Sequence, residues 1–165
     1  EAAGHGPARG RDVAMGWTAY PRKVSEALLT AAREQPLAAI DMVNNVSHSG
    51  WAAKPSFPGP GAWLHGGGRA LMRRMQSRQT EVNLFAHDFG VCDVYAAGIE
   101  AAARVVCPAS LILGARDQMT LPKLTAGLAA ALKAQVITLP AGHALMAEAP
   151  DQALAALRQA LASNS

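Results

Sequence analysis

Aromatic residues are scarce in this chain of 165 residues, and charged residues are few and nearly balanced in sign. Aromatic residues make up 5% of the sequence and charged residues 16%, and the formal net charge is +3. So small a net charge, part of it from the arginine-dense stretch 69–78, does not indicate a nucleic-acid-binding protein. No apolar run is long enough to cross a membrane. We therefore expect neither nucleic acid nor a membrane as a partner.

Cysteine is also rare. Cys92 and Cys107 are the two cysteines, and they form neither a C-x-x-C pair nor a metal-ligand spacing. The sequence thus predicts no metal site, and a reduced cytoplasmic protein is the default expectation, with a single disulfide as the alternative. The histidines at 5, 48, 65 and 87 also lack a metal-like spacing, and we expect them at the surface or in loops. The chain begins with Glu1 and shows no signal peptide, so we expect that it starts inside a longer protein.

The pattern of apolar residues divides the chain into two regions that differ in predicted secondary structure. After a short predicted strand at 12–17, residues 20–103 are predicted to be helical, apart from a long loop rich in glycine and proline at 50–68. Residues 106–163 instead predict strand, helix, strand, helix, with buried strands at 110–113 and 136–139. Such an alternation is typical of a parallel α/β sheet.

Helix boundaries and helix faces are also predicted from the sequence. Pro36 and Pro150 fall where helices can begin, since proline suits the first turn. In the last helix, an apolar stripe at helical spacing predicts the face that packs against the core. That stripe consists of Leu154, Leu157 and Leu161.

Two residues that carry acid–base chemistry follow the two predicted strands. Asp117 lies just past the first strand and His143 just past the second. Ligands of parallel α/β sheets bind at the carboxyl ends of the strands, so both side chains would lie at one edge. A carboxylate that accepts from one imidazole nitrogen leaves the other free to take a proton from a nucleophile.

Each of these residues also has a structural interpretation. Asp117 could cap the turn before the helix near residue 121, and His143 could bond a backbone carbonyl. Glu148 is predicted to be a first-turn acid that complements the dipole of the last helix. Trp51, Phe57 and Trp63 could line a substrate pocket or simply pack two parts of the chain together.

The segments "CPASLILGARDQMTLPK" and "VITLPAGHALMAEAPDQALAALRQAL" resemble the C-terminal part of the α/β-hydrolase fold. The resemblance covers about residues 106–163. It implies a partial α/β-hydrolase fold: strands of a parallel sheet with flanking helices, plus an inserted helical cap. It also implies three units: 1–19, the end of the helix after the nucleophile and one core strand; 20–95, the cap; and 96–165, the C-terminal core.

The same resemblance implies an esterase-like hydrolase with Asp117 and His143 as the acid and the base of a catalytic triad. It implies a small ester-like substrate and no cofactor, and it assigns no substrate-binding residues. The family's nucleophile lies in a G-x-S-x-G turn. No serine of this chain has that context, and Ser49 lacks the first glycine. We therefore expect the nucleophile and the oxyanion hole upstream of Glu1; the alternative is a non-catalytic remnant or binding module with the same fold.

Overall fold

The structure, a computed structural model, describes residues 13–16, 23–49 and 63–162. Within these residues there are three strands: β1 (Val13–Gly16), β2 (Ala109–Gly114) and β3 (Gln135–Leu139). The helices before β2 are α1 (Glu26–Glu34), α2 (Pro36–Ser47), α3 (Leu64–Arg78), α4 (Leu84–Val94) and α5 (Gly98–Ala103). After β2 come a short 3-10 turn (Pro122–Thr125), α6 (Ala126–Leu132), α7 (Leu145–Glu148) and α8 (Pro150–Ala162).

The three strands form one parallel sheet in the order β1-β2-β3. In its register Val13 is opposite Ala109, and Ser110 is opposite Gln135. The three strands predicted from the sequence are therefore confirmed, each within one residue at either end. All strands point the same way, so their carboxyl ends meet at one edge of the sheet.

Strand β2 is buried over its whole length because helices cover both faces of the sheet. Successive side chains of a strand point to opposite faces. Leu111 and Leu113 pack on the side of α5 and α6 in a cluster with Leu128 and Leu132. On the other face lies a second cluster, which includes members from α7 and α8: Ile112, Leu139, Ala141, Leu145, Ala149, Ala153 and Ala156.

Strand β3 departs from the prediction of a buried strand. It lies at the edge of the described sheet, and Val136 is 47% exposed. Only Leu139 at its end is fully buried. The run of apolar residues at 136–139 predicted the strand correctly, but the burial of each face depends on neighbours that periodicity does not reveal.

Helices α1 to α4 pack against one another in the chain between β1 and β2. The Ser25 hydroxyl caps α1 by accepting the N–H of Leu28 at 3.3 Å, and the Asn83 side chain caps α4 in the same way. Pro36 begins α2 and Pro150 begins α8, as predicted.

The long loop predicted at 50–68 is wrong at its end, because α3 already begins at Leu64 and contains the three consecutive glycines 66–68. The remainder of that loop, residues 50–62, lies outside the described residues, as does the helix end predicted before β1 in the unit 1–19. The end of the region predicted to be helical, which the sequence suggests as one helix over 82–103, is two helices, α4 and α5, separated at residues 95–97.

Helix α8 does not use the predicted stripe of leucines to pack. Leu154, Leu157 and Leu161 are 48%, 38% and 57% exposed, so that prediction is wrong. The helix instead buries a parallel stripe of small residues, Ala153, Ala156 and Ala160. Small side chains let the helix backbone approach the sheet closely. Each leucine follows one of these alanines in the sequence and therefore lies on a more exposed face of the helix.

No helix among the described residues is both long enough and apolar enough to span a lipid bilayer.

Candidate active site

The structure brings Asp117 and His143 together at the carboxyl edge of the sheet. Nδ1 of His143 lies 2.9 Å from Oδ2 of Asp117. Asp117 follows β2 by three residues and His143 follows β3 by four, and the parallel pairing of β2 with β3 places the two loops side by side.

Backbone hydrogen bonds continue the strand pairing into these two loops. The N–H of Ala115 donates to the carbonyl of Leu139 at 2.8 Å, and that of Arg116 donates to the carbonyl of Ala141 at 2.9 Å. The loops approach so closely that a Cβ on Gly114 would lie 2.2 Å from the carbonyl oxygen of Gly142. Glycine at 114 is therefore required for the approach that joins the acid to the histidine.

The carboxylate of Asp117 is buried and fully occupied by donors. Oδ1 accepts the N–H groups of Met119 and Thr120, each at 2.8 Å, and Oδ2 accepts the Thr120 hydroxyl at 2.6 Å as well as the His143 ring. Burial acts to raise the pKa of Asp117, but the hydrogen bonds from His143 and Thr120 outweigh it and hold the pKa below its usual range. The carboxylate is thus ionised at neutral pH.

An ionised Asp117 at Nδ1 fixes the orientation and the tautomer of the His143 ring. Nδ1 carries the proton that it donates to Oδ2, so Nε2 is left as the acceptor in the neutral ring. The side chain of His143 is 21% exposed, whereas that of Asp117 is 4% exposed. The ring therefore reaches solvent while its partner carboxylate does not.

His143 lines a cavity of about 340 Å³ between the two strand-end loops and the helices that precede β2. Leu28 of α1, together with Phe89 and Cys92 of α4, forms part of its wall. Met119 and Thr120, from the loop that carries Asp117, form another part. Most of this wall is apolar, as in small-molecule sites generally. Leu28, Phe89 and Cys92 were not predicted from the sequence as a pocket wall.

Thr120 is a site residue that the sequence analysis missed. Its hydroxyl donates to Asp117, and its oxygen also lies 3.2 Å from Nδ1 of His143. The signal that could have revealed it is the spacing Asp-x-x-Thr after a strand, in which an aspartate accepts backbone and side-chain donors three residues on.

Glu148 has a different place from the one predicted. It ends the short helix α7, and its carboxylate accepts hydrogen bonds from Ser49 and from the N–H of Gly142, the residue before His143. No local sequence pattern indicates this contact, because Ser49 and Glu148 lie 99 residues apart.

The other histidines do not join this pair. His87 is exposed and contacts Asp88, as expected of a surface residue, and His65 lies on α3. His48 contradicts the prediction of a surface or loop position: it is 3% exposed and its Nδ1 lies 3.2 Å from the carbonyl of Asn44. His5 lies outside the described residues.

The aromatic residues and the cysteines named in the sequence analysis have different outcomes. Trp63 is 57% exposed at the start of α3, and Trp51 and Phe57 are not described. Cys92 and Cys107 are not joined in a disulfide. Within residues 23–49 and 63–162, no cluster of histidine, cysteine and acidic side chains could hold a metal ion.

In the arginine-dense stretch, Arg69 forms a two-point ion pair with Asp41 of α2 at 2.5 and 2.8 Å. The hydrogen bond from Arg69 is the main cause that holds the pKa of Asp41 below its usual range. This ion pair joins α3 to α2 and gives one of the arginines a structural role.

No protein-family model matches the chain, and no curated protein does. Solved structures do match. An esterase from Thermogutta terrifontis with malate bound superposes with a TM-score of 0.73 at 16% identity, over 93% of this chain and 56% of its own. An enol-lactonase from Burkholderia xenovorans superposes with a TM-score of 0.70 at 20% identity, over 97% of this chain and 59% of its own. A bromoperoxidase from Bacillus anthracis superposes with a TM-score of 0.69 at 14% identity, over 92% of this chain and 58% of its own.

These likenesses show the fold. The chain has part of the α/β-hydrolase fold, with parallel strands and flanking helices, and it spans less than three fifths of the length of the structures named above.

Proposed function

We propose that the chain is the C-terminal part of a serine α/β-hydrolase that cleaves an ester or a related acyl bond in a small molecule. The observation that carries the proposal is the hydrogen bond of 2.9 Å between His143 and the buried carboxylate of Asp117, beside a mainly apolar cavity. A histidine oriented by an ionised acid, with its second nitrogen free, is a general base of the kind that activates a nucleophile.

In the proposed reaction, Nε2 of His143 takes the proton of a serine hydroxyl as the serine oxygen attacks the ester carbonyl. The tetrahedral intermediate collapses, the bond to the alcohol breaks, and His143 gives its proton to the departing oxygen. His143 then takes a proton from water as the water attacks the acyl-serine. The bond between the acyl carbon and the serine oxygen breaks, His143 returns the proton to the serine, and the carboxylic acid is released. Asp117 stabilises the charged ring in both steps, and no cofactor is needed.

The serine and the oxyanion hole belong, in this proposal, to sequence upstream of Glu1. The proposed division is 1–19 for the end of the nucleophile's helix and one core strand, 20–95 for a cap and 96–165 for the C-terminal core. The chain spans 56% of the esterase and 59% of the enol-lactonase, which supports a proposal in which part of the fold lies outside these 165 residues. Ser49 is a poor candidate nucleophile, because its hydroxyl is bound to Glu148 and it is 1% exposed.

A second candidate function is that of a non-catalytic remnant or binding module. The observation that favours it is the absence of a G-x-S-x-G turn from all 165 residues. In that case the cavity beside His143 would bind a small apolar molecule without chemical change.

The test begins with the DNA immediately upstream of the codon for Glu1. An open reading frame that encodes a strand, G-x-S-x-G and a helix favours the hydrolase, and a stop codon or a turn without serine favours the binding module. The continuous reading frame is then expressed and assayed with p-nitrophenyl esters. We expect His143→Ala to lower kcat by about 10⁴-fold or more. His87→Ala, at an exposed histidine, is the matched control and should leave kcat unchanged.

Unchanged turnover in His143→Ala would overturn the assignment of the base. The fold alone does not choose between reactions, as the similarity to both an esterase and a bromoperoxidase illustrates. The reading frame is therefore also assayed for halide oxidation by peroxide, for which we expect no activity above that of His143→Ala.

A further inference from the structure

The carboxylate of Glu148 is the centre of a partly buried hydrogen-bond cluster beside the loop of His143. Oε1 accepts the N–H of Gly142 at 3.1 Å and that of Ser49 at 3.2 Å. Oε2 accepts the N–H of Ser49 at 3.1 Å and its hydroxyl at 2.5 Å. All of these partners are donors, which is the arrangement that suits an ionised, acceptor-only carboxylate.

This cluster holds the chain on one side of His143, and a second contact holds it on the other. Gly142 directly precedes His143 and is bound to Glu148, while the N–H of Ala144 donates to the carbonyl of Ser47 at 2.8 Å. Ser47 ends α2, so the histidine lies between two anchors that both involve the segment 47–49.

The packing leaves little freedom for this loop. A Cβ on Gly142 would lie 2.5 Å from the backbone nitrogen of Ser49 and 2.7 Å from Oε1 of Glu148. Ser49 and Gly142 are both buried, so water cannot readily replace the carboxylate as the acceptor of their N–H groups.

We infer that Glu148 is a positioning residue that fixes the loop of His143 against the end of α2 and so holds the ring in line with Asp117. The inference rests on the proposed function only in so far as it concerns turnover. Without the carboxylate, the N–H groups of Gly142 and Ser49 would have to find other acceptors. The loop would move to do so, and the hydrogen bond between Nδ1 and Oδ2 would lengthen or break.

The first readout uses the 165-residue chain and does not depend on hydrolysis. We expect the proton on Nδ1 of His143 to give a downfield NMR signal, which is assigned by its loss in His143→Ala. In Glu148→Ala we expect the signal to shift upfield or to broaden beyond detection. Glu148→Gln should retain it, because the amide oxygen still accepts from Gly142 and the amide nitrogen can donate to the Ser49 hydroxyl, which also has acceptor capacity.

Glu148→Asp keeps the charge but withdraws the carboxylate by one methylene, so it cannot reach Ser49 and Gly142 together. It should shift the signal too, and it decides the question if Glu148→Ala fails to fold. Asp151→Ala, at an exposed acid three residues on, is the matched control and should leave the signal in place. A wild-type signal in folded Glu148→Asp would overturn the inference.

The second readout uses the continuous reading frame, once its ester hydrolysis is established. A small displacement of a catalytic group lowers turnover rather than binding. We expect Glu148→Ala to lower kcat about 10- to 100-fold with KM nearly unchanged, and Glu148→Gln to restore most of it. A change confined to KM would contradict a positioning role. If no hydrolysis exists at all, the proposed function fails, while the NMR comparison still decides the role of Glu148.

Discussion

Each oxygen of the Asp117 carboxylate has its own set of donors. Oδ1 accepts two backbone N–H groups of the following turn, which is the structural role expected of an aspartate after a strand. Oδ2 accepts from His143 and Thr120. The two interpretations available from the sequence, a turn acid and the partner of a histidine, are therefore both met by the same residue.

The lowered pKa of Asp117 makes stability depend on pH in a defined direction. A carboxyl group whose pKa is lower in the folded chain stabilises the fold at pH values above its unfolded pKa, near 3.8. That stabilisation is lost as the pH falls from about 4 through the lowered value. We expect Asp117→Asn to remove this part of the acid dependence and to cost about 1–3 kcal/mol at neutral pH. Urea unfolding from neutral pH down to about pH 3 measures both effects.

Thr120→Val is the matched control for this prediction. It deletes the hydroxyl that donates to Oδ2 but keeps the backbone donor and the charge of Asp117. We expect a loss of about 0.5–1.5 kcal/mol with the acid dependence largely retained. If wild type and Asp117→Asn lost stability in parallel below pH 4, the lowered pKa of Asp117 would be contradicted.

At the residue scale, the sequence placed Asp117 and His143 at one edge of the sheet but did not predict the contact of Glu148 with Ser49. Asp117 and His143 could be found because strand ends in a parallel sheet are places where ligands bind. Glu148 and Ser49 could not, because their contact joins segments 99 residues apart and depends on how α2 lies against the histidine loop.

At the scale of elements, α8 offers two apolar stripes one residue apart. The sequence favours the leucines, since they are larger and more apolar, but the helix packs through Ala153, Ala156 and Ala160. Small residues allow close packing against Ile112 and Leu139 in the sheet. Periodicity therefore predicts that α8 is amphipathic without deciding which of the two stripes faces the sheet.

This packing predicts that enlarging a buried alanine of α8 lowers the stability of the fold more than removing one of its leucine side chains does. Ala156→Leu adds apolar atoms to a 3% exposed position and should destabilise the fold by about 1–3 kcal/mol through overpacking. Leu157→Ala, at the adjacent and 38% exposed position, should cost about 1 kcal/mol or less. The free energy of unfolding in urea measures both. A stabilising Ala156→Leu combined with a Leu157→Ala loss of several kcal/mol would mean that the leucines face the core.

The glycines at 66–68 show why a run of flexible residues was mistaken for a loop. A Cβ on Gly66 would lie 2.2 Å from the ring of Trp63, and one on Gly68 would lie 3.1 Å from the Asn44 side chain. Two of the three glycines therefore let the first turns of α3 lie close to neighbouring side chains. Glycine weakens a helix by about 1 kcal/mol relative to alanine, a cost that such tertiary packing can offset.

At the scale of the whole molecule, the alternation of strands and helices was enough to predict a parallel sheet with helices on both faces. Burial was predicted correctly for β2 but not for β3, because it depends on what covers each surface. Among the described residues, strand β3 and the leucine stripe of α8 are two places where apolar side chains expected in a core are exposed. The chain spans less than three fifths of the esterase and of the enol-lactonase that share its fold.

The leucine stripe of α8 should make the 165-residue chain associate with itself. Leu154, Leu157 and Leu161 recur at helical spacing and form one contiguous apolar surface, and such surfaces are rare on soluble monomers. We expect oligomers in sedimentation velocity at about 10–100 µM, a range in which weak apolar contacts begin to associate. Leu154→Glu with Leu161→Lys should shift the chain toward monomer. The control replaces Val94 and Val106, which are 77% and 86% exposed and lie outside α8, by the same charged residues. A monomeric wild type, or an equal effect of the control pair, would show that the stripe does not drive association.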